Sequence, residues 1–352
     1  MKKFLVLLLG LSLTAASCNT LGIFDLGSGT KGIFRSDNAG ESYSAGNQLS
    51  PKGQIGGLSV YSLAFDPSNP AVIYLAGANG IYKTDDYGNN WKFILSNITA
   101  ADITIDPNNP QTVYASGIVG TNGKIVKSPD GGASWVDIYT EPSKNNTVLT
   151  IAAAPDSSVV LAGLYNGEVI RSFDQGRTWQ AVTDLADRVM QIRYNGTTPY
   201  ALAFHKGLYK SGDNGLTWNA ISPDVSHGIF SNAKTAPVTA STFYNMALDK
   251  KQPGVIYLGT EQGLLRTVND GADWAFVSLP VKDTTLRTSA VAVDPGDSNT
   301  LYATVGSTVF KSTNGGLTWQ TKELSTTNEV RTIIINPAST NILYLGVATP
   351  RK

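Results

Sequence analysis

Short apolar runs recur along this chain at intervals of roughly 40 to 55 residues, and most are followed by a turn rich in Asp, Asn and Pro. Residues 58–65 form one such run, mostly apolar and so suited to a strand buried on both faces. The Asp66-Pro-Ser-Asn-Pro70 that follows predicts a turn, because proline fixes φ and Asp/Asn side chains bond nearby backbone. A second strand is expected over 71–77, a third, alternating in and out, over 80–84, and a fourth over 90–94. The order returns at 103–114 and 291–302, and in worn form at 151–155, 190–194, 246–249 and 333–337. Seven inner strands are thus expected, each at the head of a unit.

Seven copies of an eight-residue box, Ser/Thr-x-Asp/Asn-x-Gly-x-Ser/Thr-aromatic, accompany these units. Copies 128–135, 172–179 and 211–218 carry Asp third, a hydroxyl residue seventh and Trp last; 36–43, 84–91, 267–274 and 312–319 are looser. All six tryptophans end a box, so the box is one repeated structural device. Its Gly tolerates a positive φ, its carboxylate can accept backbone N–H groups within the turn, and its Trp is a large anchor between layers. Asp86, Asp130, Asp174, Asp213, Asn269 and Asn314 are therefore assigned to folding. The same holds for Trp91, Trp135, Trp179, Trp218, Trp274 and Trp319.

The ends predict how the ring closes. Residues 330–337 and 342–346 supply two strands with no box after them, while 32–36 lead into a box with no inner strand before it. Two strands from each end complete a last unit and remove exposed sheet edges. The expected fold is all-β: a single seven-bladed β-propeller of four-stranded blades over 28–352, its last blade closed by strands from both termini.

The N-terminal residues carry a different signal. Met1-Lys2-Lys3, an apolar stretch over 4–14 and Ala15-Ala16-Ser17 describe an export signal over 1–17. Cys18, the only cysteine, sits where a bacterial lipoprotein signal places its lipidated residue, although Ala15 stands where Leu is usual. The expectation is a lipid-anchored protein of the cell envelope, with 18–27 as linker and no contact with the membrane beyond the lipid. Lys plus Arg equals Asp plus Glu at 27 each, so no nucleic-acid partner is expected. Two histidines and one N-terminal cysteine cannot build a zinc site of ordinary ligand count, and no cofactor or metal is expected.

In a propeller of this order, the loops joining second to third strands share a face with the blade-to-blade connections. Boxes and Asp-Pro turns share the other. The first face carries the variation, as expected where function sits in loops on a rigid scaffold. Candidate binding residues there are Asn79, Asn122, Tyr165, His205, Lys206 and Glu261, with His227 and Phe230 in the longest connection, 219–242. No pair of carboxylates is marked as catalytic by its spacing, and no catalytic residue is assigned.

The boxes, joined to Asp66-Pro-Ser-Asn-Pro70 and Gly80-Ile-Tyr-Lys-Thr84, resemble the BNR/Asp-box repeat. Bacterial sialidases, the sortilin ectodomain, xyloglucanases and photosystem II assembly factors share it. The resemblance implies the fold over 28–352 and leaves the activity open. The Arg-Ile-Pro motif of sialidases is absent, with Ile33-Phe34-Arg35-Ser36 the nearest approach. Xyloglucanases place their cleft between two propellers, and this chain has length for one. The resemblance therefore implies a monomeric, non-enzymatic platform for an envelope protein or an extracellular glycan, with glycan binding or hydrolysis as the alternative.

Overall fold

In the computed structural model, which describes residues 30–221, 242–281 and 287–350, the chain forms seven antiparallel four-stranded sheets. We number the blades 1 to 7 by their inner strands: Val60–Phe65, Thr99–Ile105, Val148–Ala153, Val189–Asn195, Phe243–Leu248, Thr288–Asp294 and Glu329–Ile335. The expected closure is present. Blade 7 runs Ser44–Ala45, Gly32–Ser36, Leu343–Ala348, Glu329–Ile335, with Phe34 opposite Leu345. Seven apolar clusters form the core, and each lies between neighbouring blades; that between blades 1 and 2 joins Tyr74 and Ile81 to Ile103 and Val113.

Three strands of blade 1 start two residues later than the sequence expectation, the second of them running Ile73–Gly77. Its inner strand starts at Val60, because the N–H of Leu58 turns back to Ile55. Its fourth strand is Lys92–Ser96, because the backbone and side-chain N–H groups of Asn90 are both held by Asp86. In blade 4 the fourth strand is only Asn219–Ala220, so the connection towards Thr242 starts later than the sequence suggests.

All seven boxes adopt one geometry. The first-position hydroxyl donates to the third-position side chain and accepts from the Gly N–H; Ser172 does so with Asp174 at 2.8 Å and Gly176 at 2.8 Å. The third-position oxygen also accepts the seventh-position N–H, as Asp174 does from Thr178 at 2.8 Å. Gly176 sits at φ +88°, and a Cβ there would lie 2.4 Å from Ile138 of the preceding blade, so both backbone and packing require glycine.

The box also staples one blade to the next. Tyrosines of the second strands reach the fourth-position residue of the following blade's box: Tyr74 to the Gly131 carbonyl at 2.9 Å, Tyr302 to Ala39 at 3.0 Å, Tyr344 to Tyr87 at 2.8 Å. Third-strand cations reach the same carbonyls, Lys83 to Gly131 at 2.8 Å and Arg35 to Tyr87 at 2.8 Å. This explains why Tyr and Lys recur beside the boxes.

The tryptophans need a correction. Trp91 is fully buried and its Nε1 donates to the Gly46 carbonyl at 2.9 Å. Trp135, Trp179, Trp218, Trp274 and Trp319 lean on interblade clusters but are only half-buried, since each follows an exposed turn at the rim. They are lids on the core edges, not buried anchors.

All four third-position box carboxylates lie below their ordinary range, three of them far below. Donation by the hydroxyl of Ser134, then by its N–H, holds Asp130 down to about 2; Thr178 and Thr217 do the same to Asp174 and Asp213. A folded value below the unfolded one adds stability that is complete above the ordinary carboxylate range and is lost as pH falls from about 4 through about 2. Asn38, Asn269 and Asn314 accept the same backbone N–H without titrating. The triple change Asp130→Asn, Asp174→Asn, Asp213→Asn is expected to flatten the fall of the melting midpoint between pH 4 and 2. An unaltered slope in a thermal melt series would remove these groups from the acid response.

Candidate functional site

Every inner strand carries a β-bulge at the same place, against the second strand of its blade. The register slips between Val60 and Ser62, Ala100 and Asp102, Val148 and Thr150, Val189 and Gln191, Phe243 and Asn245, Thr288 and Ala290, and Val330 and Thr332. A bulge leaves one residue unpaired and re-aims its side chain. Here Tyr61, Ala101, Leu149, Met190, Tyr244 and Arg331 all line a cavity of about 320 Å³ on the axis of the ring, at the loop face.

The residue after the bulge is mostly polar, and it ties its blade to the next. Asp102 accepts the Ile151 N–H at 3.1 Å, Thr150 that of Ile192 at 2.9 Å, Gln191 that of Met246 at 2.7 Å, and Asn245 that of Val291 at 3.0 Å. Each acceptor is at the same strand position, and each donor lies one residue beyond it in the neighbour. This belt satisfies backbone groups that no ladder reaches, which is what their burial demands.

Asp102 is the hub. It is 2% exposed and accepts from the hydroxyls of Ser62 at 2.7 Å and Thr150 at 2.8 Å and from the N–H of Ile103 at 3.0 Å. The Arg193 guanidinium, from blade 4, binds both its oxygens at 2.8 and 3.1 Å. On the opposite side, buried Glu329 lies 3.2 Å from Arg287 and 3.3 Å from Arg331. Arg331 also donates to the Thr349 carbonyl at 2.6 Å. Burial lowers the Arg331 value from its ordinary range, with Glu329 opposing.

Asp102 is the only carboxylate lining the cavity among the described residues, and both its oxygens are occupied. The mouth therefore offers rings, amides and guanidinium groups, an arrangement for holding a ligand.

None of the described candidate binding residues chosen from the sequence lines this mouth. Asn79 is exposed and accepts the Tyr82 hydroxyl at 3.0 Å. Asn122 opens a strand and donates to the Glu141 carbonyl at 3.0 Å, a structural contact. Glu261 accepts the Thr242 hydroxyl at 3.0 Å. Tyr165 and the His205–Lys206 turn lie on adjacent blades, with the His205 imidazole 3.4 Å from Asp187. The structure links Tyr165 and His205 through Arg188 and Phe204, and leaves Asn79, Asn122 and Glu261 apart. Cys18, His227 and Phe230 lie outside the described residues. What sequence reasoning missed is the set that lines the mouth at and beyond the bulges: Tyr61, Asp102, Arg193, Tyr244 and Arg331. The available signal was a polar or charged side chain interrupting an apolar inner strand, as in Ala101-Asp102-Ile103 and Val330-Arg331-Thr332.

No protein-family model matches the chain. Over 135 residues, 38% of this chain, it is 27% identical to the photosystem II assembly lipoprotein Ycf48 of Synechococcus sp. (strain CC9902), and the match spans 40% of that relative. The GH74 enzyme of Niastella koreensis superposes with a TM-score of 0.65 at 17% identity, over 91% of this chain and 52% of the enzyme, so this chain spans about half the enzyme's length. The structure of YCF48 bound to D1 peptide superposes with a TM-score of 0.62 at 17% identity, over 82% of this chain and 93% of that one. These structural likenesses are likenesses of the propeller fold.

Proposed function

We propose that this protein is a non-enzymatic binding or assembly platform that holds a segment of a partner protein across the loop face, centred on the channel mouth. The observation that carries this reading is the cavity of about 320 Å³, lined by Tyr61, Tyr244 and Arg331, whose one carboxylate is bound by Arg193 and has no free oxygen. Hydrolysis of a glycoside needs an acid and a second carboxylate facing the bond at about 5 to 9.5 Å, and this mouth presents no such pair among the described residues. The similarity to Ycf48 supports a protein partner, since one solved YCF48 structure holds a peptide. The likeness to GH74 supports the alternative of a glycan ligand. The location we propose is the cell envelope, by a lipid on Cys18.

The test places a photoreactive phenylalanine analogue at Tyr61 or Tyr244 in the full chain, with Leu216 on the box face as control. Cross-links to a protein from the mouth positions, and none from Leu216, are expected. Release of reducing ends from a glycan panel, with no mouth cross-link, would replace the platform by an enzyme.

A further inference from the structure

A row of alternating rings and guanidinium groups crosses the loop face from blade 3 to the mouth. Tyr165, 48% exposed, stands in the turn between second and third strands of blade 3. The Arg188 guanidinium lies 5.2 Å from its ring centroid and 4.1 Å from that of Phe204. Phe204 meets Tyr244 edge-on at 5.8 Å, and Arg287 covers Tyr244 at 4.3 Å. Tyr244 lines the cavity, so the row ends at the mouth.

Within this row Arg188 differs from its neighbours. Arg193 is neutralised by Asp102, and Arg287 and Arg331 flank Glu329. The guanidinium of Arg188 makes no ion pair or hydrogen bond among the described residues. The adjacent carboxylate, Asp187, is engaged elsewhere: it accepts the Arg188 backbone N–H at 2.9 Å, the N–H of His205, and lies 3.4 Å from the His205 ring. A guanidinium is charged at every physiological pH, and between two rings its planar fork is held in place while its N–H edges stay available. A charge placed this way, half-buried and without a counterion, calls for one from outside.

We infer that Arg188, held between Tyr165 and Phe204, binds an acidic side chain of an extended peptide that lies along this row towards the mouth. The ring geometry favours a peptide over a sugar. Phe204 stands at 71° to Tyr244 and 73° to the His205 ring, which makes clefts for side chains and no flat surface for a pyranose. The inference rests on the platform reading and adds the chemistry of its ligand.

The test is an array of acetylated, amidated peptides containing Asp-Phe-Glu units, with Asn-Phe-Gln counterparts, probed with the full chain and with Arg188→Gln. The acidic peptides are expected to bind, and Arg188→Gln to weaken them by about tenfold or more, as loss of a charge-assisted contact does. The neutral peptides should bind weakly to both forms. Arg188→Lys, which keeps the charge and loses the planar fork, should fall between. Equal binding of acidic and neutral peptides, or an unchanged Arg188→Gln, overturns the inference and leaves the platform standing. Capture of an oligogalacturonate with no peptide bound overturns both. An array with no binder at all also overturns the inference, and the cross-links from Tyr61 then judge the platform separately.

Discussion

Asp102→Ala is expected to destabilise the protein by about 2–4 kcal/mol, because it leaves several buried donors unsatisfied while the Arg193 guanidinium, more than a third exposed, regains water. The change releases the Arg193 guanidinium on the channel axis and frees the hydroxyls of Ser62 and Thr150 and the N–H groups of Ile103 and Ile151. The four donors other than Arg193 come from blades 1, 2 and 3, so the loss falls on interblade contact more than on any one sheet. Asp102→Asn should cost less: the amide keeps the shape and one acceptor oxygen, but loses the charge that Arg193 needs. Urea unfolding at constant m-value measures both changes. A loss below about 1 kcal/mol for Asp102→Ala would show that the belt does not depend on its hub.

Trp91→Ala should cost about 3–5 kcal/mol, in the range for a fully buried large aromatic. Trp91 is 0% exposed, packs with Ile33, Leu75 and Tyr344, and donates to Gly46. It lies where blades 7 and 1 meet, the boundary that both chain ends must close, with Leu49 bridged to Trp91 itself. Trp179→Ala should cost clearly less, roughly 1–2 kcal/mol, because that side chain is only partly buried and less apolar area leaves water. The two variants in one denaturation experiment decide the matter. Equal losses would mean that exposure in the folded state does not rank these tryptophans.

The candidate site was far less legible than the fold. Box and turn residues announce themselves because their roles are local: Asp174 bonds residues two and four positions away, and Gly176 needs its own φ. Any chain segment with that spacing can form the same turn. Asp102 and Arg193 are 91 positions apart, and nothing within either strand predicts the other. Loop position picked out Tyr165 and His205, which Arg188 and Phe204 link, and also Asn122, which bonds within its own hairpin. The bulges were hidden for a simpler reason. A one-residue slip in pairing depends on the partner strand and changes no local preference.

What the sequence determined alone was the repeating unit, its number and the way the ring closes. Hydrophobic period, turn chemistry and box spacing are short-range properties written in consecutive residues. The tertiary structure alone decided what lines the axis. Only a closed ring brings six bulged residues to one mouth, sets Arg193 against Asp102, and leaves Arg188 between two rings with no counterion among the described residues. Those contacts join residues from different blades, so they exist only once the blades have packed.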